Sequence, residues 1–163
     1  MESQAARLGE ILKRQGLTLA VAESCTGGLL GGCVTASAGS SSYFRGGVIA
    51  YDNDIKRDVL GVSAENLEKH GAVSGPVVCE MAAGAAKLLG CGCAASVSGI
   101  AGPGGGSGEK PVGLVFIGVY CRGQTDSRSF VFDGNRDEVR AQSVAAALDF
   151  LIETVNSTAD TPQ

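Results

Sequence analysis

The stretch Leu17-Thr18-Leu19-Ala20-Val21-Ala22-Glu23-Ser24-Cys25-Thr26-Gly27-Gly28 decides the fold. Its first half, residues 17–23, is an apolar run ending on a polar residue, the pattern of a buried strand. Its second half is a polar, glycine-rich turn that leads into a helix predicted from near Thr26 to about Ala36. A buried strand feeding a helix is the repeating unit of an α/β protein. Gly27, Gly28, Gly31 and Gly32 would each cost ~1 kcal/mol against alanine inside a helix. Glycines kept at that cost point to close packing or to backbone approach to a ligand.

Working outward, Leu8, Ile11 and Leu12 recur at helical spacing within 4–15, and Gly16 follows as a stop. Downstream, residues 46–51 read as a second strand, with Asn53 and Asp54 as caps of a short helix containing Lys56. Ser63 is placed to cap a helix through His70, closed by Gly71. Ser74 precedes Gly75-Pro76 and a helix to Leu89, with Gly90 after it. Residues 93–98 form a third strand, followed by the loop Gly102-Pro103-Gly104-Gly105-Gly106-Ser107-Gly108. Residues 113–121 and 126–132 read as a hairpin around Arg122-Gly123-Gln124, and a last helix spans 136–155 before a polar tail beyond Asn156. The alternation predicts one α/β domain over 1–163, with its core at about 8–155. It is a three-layer α/β/α sandwich with a mixed, mostly parallel sheet.

The chain has 163 residues, enough for a core that needs no staple. Glycine, at 25 residues, is about twice its usual ~7% share, yet without the period of collagen. A net charge of −4 with no basic run, and 5% aromatics, argue against a nucleic-acid partner. Polar residues and glycines interrupt every apolar run short of a membrane span, and the N-terminus lacks a secretory pattern. A cytoplasmic protein with reduced thiols is expected. The six cysteines form no C-x-x-C pair and there is one histidine, so no metal is expected.

Four segments carry chemistry. Ala22–Gly28 places Ser24 or Cys25, either a possible nucleophile, at the carboxyl edge of the sheet, where α/β proteins bind ligands. Helix-start amides there suit an anion or an oxyanion, although Ser24 and Thr26 could equally be simple helix caps. Tyr51-Asp52-Asn53-Asp54-Ile55-Lys56 follows a strand in the same way. With only His70 available, Lys56 is the better base for Ser24, against the alternative of an ordinary surface lysine. Ser98-Gly99-Ile100-Ala101-Gly102-Pro103-Gly104-Gly105-Gly106-Ser107 offers successive amides to an anion, but matches neither G-x-G-x-x-G nor a Walker A loop. Arg136 and Arg140 lie one turn apart and could clamp a phosphate, or form surface pairs with their acidic neighbours.

Together, Ala22–Gly28, Tyr51 with Lys56, Ser98–Gly106, and Asn135-Arg136 with Val139-Arg140 resemble the CinA C-terminal domain family. That family includes stand-alone nicotinamide mononucleotide (NMN) amidohydrolases, and the likeness runs from about Leu8 to Val155. It implies hydrolysis of the NMN carboxamide to nicotinate mononucleotide and ammonia without a cofactor, by a cytoplasmic homo-oligomer. The implied catalytic residues are Ser24 as nucleophile, Lys56 as base and Tyr51 beside them. The implied substrate contacts are Thr26, Gly27, Gly28, Ser41, Ser98, Gly99, Gly102, Gly104, Gly105, Arg136 and Arg140, with amides near Gly27 holding the oxyanion. The chain departs from the family where Ser98 and Ser107 replace threonines and Asn135 replaces an aspartate. The competing reading is a non-catalytic nucleotide-binding or interaction module linked to competence and DNA damage.

Overall fold

A computed structural model describes residues 1–159. The elements run α1 (Glu2–Gln15), β1 (Leu19–Glu23), α2 (Leu29–Thr35), a 3-10 turn (Ser40–Ser42), β2 (Phe44–Ile49), α3 (Asn53–Asp58) and α4 (Ala64–His70). They continue with α5 (Gly75–Leu89), β3 (Cys93–Gly99), β4 (Leu114–Cys121), β5 (Gln124–Val131) and α6 (Arg136–Ala159). The five strands form one sheet in the order β2-β1-β3-β4-β5. β1 pairs in parallel with β2 and β3, and β4 pairs antiparallel with β3 and β5. The sheet is therefore mixed, with β4 alone running against the other four strands.

Period-two alternation sends successive residues of the central strands into two separate cores. Leu19 and Val21 of β1, and Ala95 and Val97 of β3, join α1, α2 and α6 on one face. Ala20, Ala22 and Ala94 meet α5 on the other. The second core is built of small residues, so α5 comes very close to the sheet. The Ser96 hydroxyl donates to the Val78 carbonyl at 2.6 Å, and Gly118 lies where a side chain would strike that same carbonyl. Gly84 of α5 is similarly pressed against the Leu60 carbonyl oxygen. A three-layer α/β/α arrangement results.

Most predicted elements are present, and the differences have local causes. The second helix begins at Leu29 rather than Thr26, because Gly27 (φ 55°) and Gly28 (φ 103°) turn the chain in the left-handed region first. The N-cap of α3 is Asp52, whose carboxylate accepts from the Asp54 N–H at 2.8 Å, not Asn53 or Asp54. The hairpin turns on Arg122 and Gly123 alone, both at positive φ, which matches the strand twist and lets β5 begin at Gln124. Helix α6 continues through 157–159, where the sequence suggested a loose tail; residues 160–163 lie outside the described residues.

The connection after β1 passes into α2 on one face, whereas the connection after β2 leads through α3 and α4 to α5 on the other. Neighbouring strands whose exits diverge in this way open a crevice at their carboxyl ends. Among the described residues, no helix is long and apolar enough to cross a membrane.

Replacing Gly84 with alanine should drive a methyl group into the Leu60 backbone and cost about 1–3 kcal/mol, as overpacking does. A lowered urea midpoint with an unchanged m-value would show it; an unchanged midpoint would mean that the close approach is not needed.

Candidate active site

Glu23 ends β1 fully buried, and its carboxylate accepts four hydrogen bonds. The donors are the Thr26 hydroxyl at 2.5 Å and the N–H groups of Gly28 at 3.1 Å, Leu30 at 3.0 Å and Gly31 at 2.8 Å. The start of α2 thus receives an anion from within the chain. These amides were expected to face a ligand; three of them are spent on Glu23. The Gly27 N–H is spent as well, on the Ser24 carbonyl at 3.1 Å. The N–H groups of Cys25 and Thr26 meet no backbone carbonyl among the described residues.

Ser24 follows directly, held by its N–H on the Val97 carbonyl at 2.9 Å. Its hydroxyl lies 3.2 Å from Lys56 Nζ, which also meets the Tyr51 carbonyl at 3.1 Å. Ser24 therefore bonds to lysine rather than capping α2, and Thr26 bonds to Glu23 rather than capping it. Lys56 is only 1% exposed, the largest of the fully buried side chains. Among the described residues no carboxylate lies within ion-pair distance of its ammonium. Burial lowers the Lys56 pKa from the ordinary lysine value, with the Asp52 charge opposing the shift. A surface role for Lys56 is excluded by this placement.

Ser24, Cys25, Lys56, Ser98, Gly99 and Arg136 border a cavity of about 220 Å³, together with Tyr51 and Ala101. The Cys25 thiol is pushed up to about 11, chiefly by burial, so little thiolate forms near neutrality. Tyr51 reaches Lys56 through its carbonyl. Its side chain is 61% exposed, and the hydroxyl accepts from Arg136 at 3.3 Å rather than touching Ser24 or Lys56. Arg136 also donates to the Gly102 carbonyl at 2.9 Å, fastening the glycine loop to α6.

Several expected contacts lie elsewhere. Arg140 donates to the carbonyls of Cys25 at 3.1 Å and Thr26 at 3.3 Å, so it braces the serine turn from below and does not line the cavity. Ser41 sits before β2, at the opposite end of that strand from Tyr51, and is exposed. Six residues of strand separate it from the crevice by about 20 Å. Gly104 and Gly105 are exposed and do not border the cavity, while Ser98 and Gly99 do. Glu23 was not anticipated as part of the site; its signal was a lone carboxylate ending an otherwise apolar strand. A wider groove of about 320 Å³ lies between β5 and α6, but it holds an Arg128–Glu153 ion pair and no nucleophile with a base. Among the described residues no three His, Cys, Asp or Glu side chains gather as a metal site would need.

The structure is thus an α/β protein with a buried serine–lysine contact at the diverging exits of its parallel strands. Residues 1–155 match the CinA C-terminal domain, and the chain belongs to that family. It is 49% identical over 146 residues to the nicotinamide-nucleotide amidohydrolase PncC of Escherichia coli K12, covering 89% of this chain and 88% of that protein. It is 48% identical over 153 residues to a CinA-like protein of Rippkaea orientalis, covering 92% of this chain but only 37% of that protein. The chain thus spans little more than a third of the length of some curated relatives. The crystal structure of the competence/damage inducible protein CihA from Agrobacterium tumefaciens superposes with a TM-score of 0.91 at 44% identity, over 95% of this chain and 94% of that one.

Glu23→Ala would strand the buried Leu30 amide and the half-buried Gly28 and Gly31 amides, and a buried donor left unsatisfied costs ~1–3 kcal/mol. Chemical denaturation should therefore show a loss of about 2 kcal/mol or more. A loss below ~1 kcal/mol would mean that water replaces the carboxylate and that the turn does not depend on it.

Proposed function

We propose that this chain is an amidohydrolase that converts NMN to nicotinate mononucleotide and ammonia, with Ser24 as nucleophile and Lys56 as general base. The observation that carries the reading is Lys56 Nζ, buried, without a carboxylate partner, and 3.2 Å from Ser24 Oγ. The likeness to the E. coli amidohydrolase over nearly its whole length supports the substrate.

In this mechanism neutral Lys56 takes the Ser24 proton as Oγ attacks the carboxamide carbon. The oxyanion that forms is met by the N–H groups of Cys25 and Thr26, adjacent to the nucleophile and bonded to no backbone carbonyl among the described residues. Lys56 then returns its proton to the departing nitrogen, which leaves as ammonia. Water, deprotonated by the same lysine, attacks the acyl-serine and releases the carboxylate product. The proposed role of Tyr51 is to hold Lys56 by its carbonyl and Arg136 by its hydroxyl. A cavity of 220 Å³ is smaller than the ~300–1,000 Å³ of sites that enclose a whole ligand. It takes the pyridine carboxamide, with the ribose phosphate at the rim near Arg136 and the loop at Gly102, Gly104 and Gly105. The same reading carries a cytoplasmic homo-oligomer; exposed Leu29, Ile49, Ile55 and Val59 offer it an apolar surface.

Ammonia release from NMN by the purified protein tests the reading. Ser24→Ala and Lys56→Ala should each lower kcat by about 10³-fold or more. Undiminished turnover in both would overturn the mechanism, and saturable NMN binding without ammonia would favour a binding module instead. Tyr51→Phe should cost less than about tenfold, since its carbonyl remains. Arg136→Ala should raise KM more than it lowers kcat.

The Lys56 shift sets the pH dependence. Protonated Lys56 cannot accept the serine proton, so kcat/KM should fall as pH drops through the Lys56 pKa and level off above it. Because that pKa is lowered, the inflection should lie below the ordinary 10.5 of lysine. An inflection at or above 10.5 would mean that Lys56 is not the titrating base.

A further inference from the structure

We infer that Cys93 and Cys121 are a peroxide-responsive dithiol that closes reversibly into a cross-strand disulfide. The two residues are register partners on β3 and β4, at the end of the sheet away from the candidate active site. The Cys93 N–H points to β1, donating to the Thr18 carbonyl at 3.0 Å, and the Arg122 N–H donates to the Gly92 carbonyl at 3.0 Å. Cys93 and Cys121 therefore occupy a non-hydrogen-bonded site of the antiparallel ladder. There the Cα atoms lie ~4.5 Å apart and side chains approach most closely. That spacing is within the ~4.4–6.8 Å that a disulfide spans, so no strand needs to move for the bond to form. Both are free thiols with no exposed surface, and their sulfurs stand 2.9 Å apart. None of the other four cysteines has a sulfur neighbour at hydrogen-bond distance among the described residues.

The pair is chemically asymmetric. The Cys121 sulfur meets the Cys93 sulfur at 2.9 Å and Thr158 Oγ1 at 3.3 Å, and Arg122 donates to that hydroxyl at 3.0 Å. These groups hold Cys121 below the ordinary thiol range, with the Cys93 hydrogen bond the largest cause. That same bond, followed by burial, pushes Cys93 up. Cys121 is thus the sulfur that reacts as thiolate, and Cys93 keeps its proton until needed.

With hydrogen peroxide as oxidant, the Cys121 thiolate attacks one peroxide oxygen. The O–O bond breaks, giving a sulfenic acid and hydroxide. The Cys93 sulfur then attacks the Cys121 sulfur, the S–O bond breaks, and the leaving hydroxide departs as water with the Cys93 proton. Two thiol sulfurs lose two electrons, the peroxide gains them, and two waters form from one peroxide. Access comes through the last turns of α6, where Thr158 covers Cys121 and where helix ends open most cheaply. Ser98, at the candidate site, lies five residues along β3 from Cys93, about 17 Å away. The switch is therefore read in sulfur chemistry and not in turnover.

The intact protein, treated with hydrogen peroxide under native conditions, denatured, alkylated and digested without reductant, provides the test. A Cys93–Cys121 linked peptide should accumulate before any other cross-link, alkylatable thiols should fall from six to four, and dithiothreitol should restore all six. Recovery of both cysteines as alkylated thiols while others oxidise would overturn the proposal. So would their recovery as sulfinic acids without the linked peptide. In Cys121→Ala, Cys93 should remain a thiol under the same treatment; oxidation of Cys93 at the original rate would show that Cys121 is not the reactive partner.

Discussion

The carboxylate of Glu23 is the constraint on which the candidate site depends. Burying an ionised group costs several kcal/mol, and the cost is offset only where its oxygens are well supplied with donors. Here one hydroxyl and three amides converge on it within eight residues of chain. Those amides belong to the start of α2, which would otherwise leave them without partners. One charge thus completes a helix start and ties the end of β1 to it. The chain between must wrap tightly, which Gly27 and Gly28 permit through positive φ, and Ser24 is presented at the head of that wrap. Its backbone is fixed on the other side by the Val97 carbonyl of β3.

Lys56 is the second buried group with a charge to lose, and it is treated in the opposite way. Glu23 has every donor it can use, whereas Lys56 has a serine hydroxyl and a backbone carbonyl. An ammonium so placed is poorly compensated, and the environment answers by favouring the neutral amine. A buried base gives the fold little, since an apolar side chain of similar volume would pack there at lower cost. In the proposed mechanism what it gives is a base beside a hydroxyl, the requirement for activating serine where no histidine is at hand. The elements that place it are short: Asp52 caps α3, and the Val62 N–H closes on the Lys56 carbonyl at 3.0 Å.

The layers and nearly all elements were legible because they rest on local signals: the apolar runs of β1 and β3, the caps at Ser63 and Ser74, and the stops at Gly16, Gly71 and Gly90. Ser24 with Lys56 was legible because the chain holds a single histidine, and because both residues follow strands that end at one sheet edge. What was misread depends on three-dimensional partners. A glycine-rich helix start looks the same whether its anion is a ligand or a side chain five residues upstream, and only the folded turn shows Glu23 filling it. Ser41 was assigned by resemblance alone, and strand direction carries it to the far end of β2. The Cys93–Cys121 contact follows from the β3–β4 register, which no spacing in the sequence specifies.

Arg136 and Arg140 show how far residue type underdetermines role. They stand one turn apart on α6, and both reach toward the loops that end β1 and β3. Arg140 turns inward, and its guanidinium is consumed by the carbonyls of Cys25 and Thr26. These carbonyls come from the same peptide segment whose N–H groups follow the nucleophile, so the arginine holds that segment with its amides turned away from α6. Arg136 borders the cavity, and among the described residues its hydrogen bonds go to the Gly102 carbonyl and the Tyr51 hydroxyl. Neither of those partners is charged, so its positive charge stays available to an anion at the rim. Two arginines of one type and one helix face thus divide: Arg136 stays at the cavity, and Arg140 is built into the five-residue turn Ser24–Gly28 as a brace.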